Sequence, residues 1–206
     1  IFFYKLKPVN FLIGKKTMLS FKRLFDLFTA VILLVLLSIP IVLIFILIRA
    51  TSHGSAVYWS DRIGKDNKIF KMPKFRSMKI GSPVVATHLI KDVDLYLTPI
   101  GKFLRRFSLD ELPQLYSIIK GDMSFVGPRP ALYNQDDLVL LRQENGVDNL
   151  VPGLTGWAHI NGRDNITISD KVKLDAEYLE LQSFWFDLKI LKATLLKSIN
   201  KDEISH

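Results

Sequence analysis

Leu27 to Ile48 runs through 22 consecutive positions without a charge, and Ser38-Ile39-Pro40 interrupts the run near its middle. A straight helix over it would reach roughly 33 Å, enough to cross the hydrocarbon core of a bilayer. The run is too long for the apolar region of a secretory signal, and no small-x-small cleavage site follows it. Lys15, Lys16, Lys22 and Arg23 precede it, and Arg49, Arg62 and Lys65 follow. Basic residues favour the cytoplasmic side, so both flanks ask for the same side. Pro40 removes a helical hydrogen bond and kinks the helix. The Ser38 hydroxyl is placed to satisfy a carbonyl freed there. A helix that enters, bends and leaves on the same face meets all three conditions; a straight span is the alternative.

The chain has 206 residues, enough for one ordinary domain beside that segment. Its net charge of +8 suits an anionic partner: lipid headgroups, phosphorylated substrates or nucleic acid. Nucleic acid fits worst, because the basic residues sit beside apolar membrane elements rather than along an exposed stripe. There is no Cys, which excludes disulfides, thiolate metal sites and thiol nucleophiles. His53, His88, His159 and His206 lack metal-ligand spacing. Neither GxGxxG after a strand nor GxxxxGK[ST] occurs, so Rossmann and Walker nucleotide sites are not supported.

The expected organisation is an extension over 1–17, before the start-like Met18, read as upstream or poorly ordered. A membrane-anchoring re-entrant helix follows over 18–50, then a cytoplasmic catalytic domain over 51–200 and a tail over 201–206. Within the domain, Ala56–Ser60 reads as a strand, Gly64–Asn67 as a turn, and Ile69–Met78 as extended and basic. Residues 81–98 read as an irregular loop, Ile100–Arg106 as a short helix, and Ser108 as the start of a helix that Gly121 caps. Gly127-Pro128-Arg129-Pro130 is a rigid loop, and Leu132–Gly146 is helical. Val151–Arg163 is too Gly-rich for a long element. Ile168–Leu181 is a helix with a polar face. Phe184–Ile199 is amphipathic and suits either the headgroup region or the core. The fold class is mixed α/β, mostly helical, with interfacial amphipathic helices.

Asp110-Glu111 carries the first chemical signal, with two readings. Ser108-Leu109-Asp110-Glu111 matches a capping box, in which both acids are structural. In the other reading, a carboxylate near a helix N-terminus stays ionised beside N–H groups that attract phosphate, and serves as a nucleophile. Two adjacent carboxylates also suit a Mg²⁺ that takes its other ligands from substrate phosphates. The candidate phosphate-binding cations are Lys74, Arg76, Arg105, Arg106, Arg129 and Arg163. Prolines on both sides of Arg129 fix its backbone, which suits bidentate phosphate contact. Arg163 follows the Asn161-Gly162 turn. Each cation has an alternative in a structural ion pair. Gly153, Gly156 and Gly162 bracket Trp157 and permit turns or close backbone approach to a ligand.

SLDELPQLYSIIKGDMSFVGPRP (Ser108 to Pro130), followed by PGLTGWAHINGR (Pro152 to Arg163), closely resembles the bacterial sugar transferase family. These are the small monotopic polyprenyl-phosphate phosphoglycosyl transferases. The resemblance extends from FKRLFD (Phe21 to Asp26) to about Ile199 and includes KFRSM (Lys74 to Met78) and LTPIGKFLRRFSLDE (Leu97 to Glu111). The chain resembles the minimal form, without an additional multi-span N-terminal region.

The resemblance implies an enzyme of the bacterial inner membrane with its catalytic domain on the cytoplasmic face. It would move a sugar 1-phosphate from a UDP-sugar to undecaprenyl phosphate, releasing UMP, with Mg²⁺ as cofactor. Asp110 would attack the β-phosphate, and Glu111 would hold Mg²⁺ or handle the acceptor's proton. Arg129, Arg105 and Arg163 would bind phosphates. Ser38 and Pro40 would form the membrane kink. Membrane lipids and downstream glycosyltransferases are the implied partners, and an N-acetylated amino sugar is the favoured cargo. Three departures from the family pattern bear on lipid contact and substrate choice: Ile39 between Ser38 and Pro40, Tyr96 for a common Arg, and His159 for a common Gln. The competing readings are a membrane-bound phosphohydrolase with Asp110 as nucleophile and a non-catalytic membrane adaptor.

Overall fold

A computed structural model of the chain describes residues 9–85, 90–162 and 166–199. Arg163, residues 1–8 of the expected extension and the 201–206 tail lie outside the described residues. Helix α1 (Val9–Leu36) crosses the Thr17–Met18 boundary, and α2 (Ser38–Thr51) follows after Leu37 alone. From Ser20 onward the two helices are bent by 63°. The cause is local. Pro40 has no N–H to continue the helix, and the Ser38 hydroxyl donates to the Val35 carbonyl at 2.7 Å. Among the described residues no single helix is long and apolar enough to cross a membrane; the bent pair passes that test only together. Its outer surface is apolar, with Val35, Leu36 and Ile39 each about two-thirds exposed. Its inner surface joins the core through Ala30, Ile44 and Ile48.

Strands β1 (Val57–Ile63) and β2 (Ile69–Phe75) form an antiparallel hairpin in which Tyr58 faces Lys74 and Arg62 faces Phe70. Period-two alternation puts Tyr58, Ser60, Arg62, Phe70, Met72 and Lys74 on one face. Phe70 and Met72 enter the main core there. Helix α3 (Gly101–Arg106) leads to a 3-10 turn, Leu109–Gln114, and then to α4 (Leu115–Lys120), which Gly121 ends at φ +98°.

The segment from Val151 to Gly162 is more ordered than its glycines suggest. It contains β4 (Gly153–Thr155) and a short helix, Trp157–Asn161; β4 pairs in parallel with β3 (Ser124–Val126). Two of the glycines there are required by close approach to the chain's own backbone. A Cβ on Gly153 would lie 2.1 Å from the Gly127 nitrogen, and one on Gly156 would lie 2.1 Å from the Gly127 oxygen. In chain order α5 (Asp136–Glu144) is shorter than expected, α6 is the Trp157–Asn161 helix, and α7 (Ile168–Leu181) and α8 (Phe184–Ile199) match their expected bounds. Helix α8 buries Asp187 and Ile190 against the core while Trp185, Leu195 and Leu196 stay exposed, so the core reading accounts for its inner face.

Lys22 and Arg23, on the flank before the apolar run, are not free charges. Lys22 is 8 % exposed, and its ammonium pairs with Asp187 at 2.6 Å and donates to the Val126 carbonyl at 2.9 Å. Arg23 donates to the carbonyls of Ile118 and Ile119 at the end of α4. The Tyr178 hydroxyl donates to the other Asp187 oxygen at 2.7 Å, and the Phe125 N–H donates to Asp26. These charges stitch α1 to α8 and β3, so they lose weight as evidence for membrane sidedness. Lys22→Ala strands a buried carboxylate and a buried carbonyl. We expect it to lower stability by about 3–5 kcal/mol, read as a fall in the thermal or denaturant midpoint of the detergent-solubilised protein.

Candidate active site

Two segments converge on the Glu111 carboxylate. Arg129 holds it as a fork: Nη2 donates to Oε1 at 2.5 Å and Nη1 to Oε2 at 3.1 Å. Lys74, at the end of β2, donates to Oε1 at 3.1 Å. Arg129 Nη1 also donates to the Leu154 carbonyl on β4. All three side chains are largely but not fully buried, between 20 and 30 % exposed. Burial alone would raise the Glu111 pKa; the adjacent Arg129 and Lys74 outweigh it and hold the carboxyl well below the usual range.

The capping box does not form. Ser108 lies in the left-handed region at φ +56° and makes no side-chain capping bond. Its N–H donates to the Arg105 carbonyl at 3.2 Å. It therefore ends α3 in the manner of a left-handed C-terminal residue, and it also opens the 3-10 turn, its carbonyl accepting from the Glu111 N–H at 3.2 Å. The reversal there sends Leu109 and Leu112 to the core patch around Leu104 and Ile48, and brings Glu111 to Arg129 and Lys74.

Asp110 differs from its neighbour. Among the described residues no side chain hydrogen-bonds its carboxylate, although the charges of Lys74 and Arg105 act on it. Burial pushes its carboxyl above the ordinary aspartate range and the Glu111 charge adds to this, while Lys74 and Arg105 oppose it. One acid of the pair is thus locked by cations, while the other is held by no described side chain and only by a backbone hydrogen bond.

Of the remaining predicted cations, Arg105 is half-buried beside Asp110. Arg76 is not brought in: its Nε donates to the Ser55 carbonyl at 2.6 Å, and no bond joins it to either acid. Arg106 lies over the Phe107 ring, 5.6 Å from its centroid. Among the described residues no cluster of three or more His, Cys, Asp or Glu is arranged to hold a metal. The site thus fits only a cation that takes most of its ligands from substrate and water, with Asp110 as its protein ligand. Glu111 has both oxygens engaged by Arg129 and would have to exchange those bonds to ligate.

Arg62, Arg142 and Asp175 belong to the site's support and carry no signal of it in the sequence. Arg62 is half-buried, its Nη1 donating to the Pro130 carbonyl at 3.2 Å. Burial, with Arg129 nearby, lowers its pKa to about 10. Arg142, on α5, donates Nη1 to the Arg129 carbonyl at 2.9 Å and pairs with Asp175 of α7.

The chain is similar to known proteins along most of its length. It is 38 % identical over 189 residues to the UDP-glucose:undecaprenyl-phosphate glucose-1-phosphate transferase of Escherichia coli K12, covering 87 % of this chain and 40 % of that protein. It is 33 % identical to the undecaprenyl-phosphate galactose phosphotransferase of Salmonella typhimurium, covering 92 % of this chain and 43 % of that protein. The chain thus spans about two-fifths of the length of these curated relatives. The uncharacterized sugar transferase EpsL of Bacillus subtilis is 40 % identical, with 89 % of each chain covered. The family model described as bacterial sugar transferase matches residues 17–201, and the chain belongs to that family.

Proposed function

We propose that the protein transfers a sugar 1-phosphate from a UDP-sugar to undecaprenyl phosphate and releases UMP, with Asp110 as the nucleophile. The observation that carries this reading is the division of labour between the adjacent acids: Arg129 and Lys74 lock Glu111, while no described side chain bonds Asp110. In the first step an Asp110 oxygen attacks the β-phosphorus. A new carboxyl–phosphorus bond forms, the bond to the bridging oxygen breaks, and that oxygen leaves with UMP. In the second step a phosphate oxygen of undecaprenyl phosphate attacks the same phosphorus and frees Asp110. Lys74, Arg105 and Arg129 offset the charge that develops on the phosphoryl oxygens. Asp110 would hold Mg²⁺, which would supply charge neutralisation for the donor. The names of the relatives support glucose and galactose as cargo candidates beside the N-acetylated amino sugar.

The bent, outwardly apolar helix pair supports residence in one leaflet, because a continuous exposed apolar surface calls for lipid or protein cover; the cytoplasmic face of the inner membrane is what the family resemblance implies. The chain contains no Cys, so single-cysteine variants report cleanly. Ser20→Cys and His53→Cys flank the pair, and Lys68→Cys marks the domain. We expect a membrane-impermeant maleimide to label all three from the cytoplasmic side only; outside labelling of Ser20→Cys alone would establish a span.

With Mg²⁺ and a panel of UDP-sugars but no acceptor, the intact mass should rise by one sugar phosphate. Asp110→Asn should abolish the adduct and cut turnover by roughly 10³-fold or more. UMP release that requires undecaprenyl phosphate yet leaves no adduct would exclude the covalent route. Because Asp110 must be ionised to attack and burial raises its pKa, the acid limb of the kcat/KM profile should lie above the ordinary aspartate range. Activity should fall as pH drops through that limb. A limb at the ordinary value would assign the nucleophile elsewhere.

A further inference from the structure

The 127–130 loop presents three consecutive carbonyls to the protein, and a different donor takes each. The Gly153 N–H donates to Pro128 O at 2.9 Å, Arg142 Nη1 to Arg129 O at 2.9 Å, and Arg62 Nη1 to Pro130 O at 3.2 Å. The middle contact matters most for aiming a side chain. The peptide between Arg129 and Pro130 has no N–H, so its carbonyl is its only polar handle. Pro130 already restricts Arg129 to extended backbone. The orientation of that peptide is what remains to be set, and Arg142 sets it.

Arg142 is itself fixed. Its Nε and Nη2 both donate to Asp175 Oδ2, at 3.0 and 2.7 Å, and the two side chains are 10 and 2 % exposed. A buried ion pair adds little net stability, because desolvation offsets the attraction; its geometry, however, leaves the third guanidinium nitrogen aimed at the loop. We propose that the Arg142–Asp175 pair is a positioning device for Arg129: it sets the direction from which that guanidinium reaches Glu111 and the donor diphosphate. The inference rests on the phosphate-handling reading of Arg129 given above.

A double-mutant cycle on UDP affinity tests it, by titration calorimetry with Mg²⁺ on the full chain in detergent. Lysine at 142 keeps the charge opposite Asp175 but loses the fork that holds carboxylate and loop together. We expect Arg142→Lys to weaken UDP binding about tenfold in the wild-type background and by less than about twofold in Arg129→Ala. Equal losses in both backgrounds, or no loss in either, would overturn the positioning role. If Arg142→Lys does not fold, Asp175→Asn runs through the same cycle under the same criteria. Wild-type protein that does not bind UDP, or Arg129→Ala that binds it unchanged, would overturn the phosphate-site reading and the inference with it.

Discussion

A carboxylate taken out of water needs its lone pairs filled, and Glu111 meets that need with groups from separate parts of the chain. Lys74 comes from the hairpin and Arg129 from the loop after β3, while the Arg129 side chain also reaches β4. The desolvation cost makes the arrangement all-or-none: removing any one cation leaves a buried charge short of partners. The hairpin, the 3-10 turn and the parallel strand pair are therefore held in one register by a single acid. The adjacent Asp110 inherits the same surroundings without the same bonds, so the scaffold fixes the proposed nucleophile without tying it up.

The chemistry is legible where residue type and local constraint coincide. Asp110, Glu111 and proline-flanked Arg129 stand out in sequence, and so does the break at Ser38-Ile39-Pro40. The hairpin and the two last helices follow from alternation and helical periodicity. Arg76 misleads, because type and proximity to Lys74 say nothing about which carbonyl a side chain meets. The Ser108 pattern fits a capping box by spacing, but spacing does not reveal a left-handed residue. Strands β3 and β4 have three residues each, too short for a period to register. Arg142 and Asp175 look like polar positions on amphipathic helices until α5 and α7 pack together.

The apolar helices and the domain are also one packing unit. Ala30 belongs to the main core and Ile44 and Ile48 to the second, so the bent pair buries an inner face while its outer face stays open. The polar tie is tighter still, because Lys22 reaches the carbonyl of Val126, one residue before the 127–130 loop begins.

That contact has a practical consequence for preparing the enzyme. Cutting away the first helix to obtain a water-soluble catalytic fragment would take the lysine from beneath the loop and leave Asp187 and Tyr178 facing a hole. The N-terminal helices of this chain are part of the scaffold that carries the 127–130 loop, so helices and domain have to be prepared as one piece.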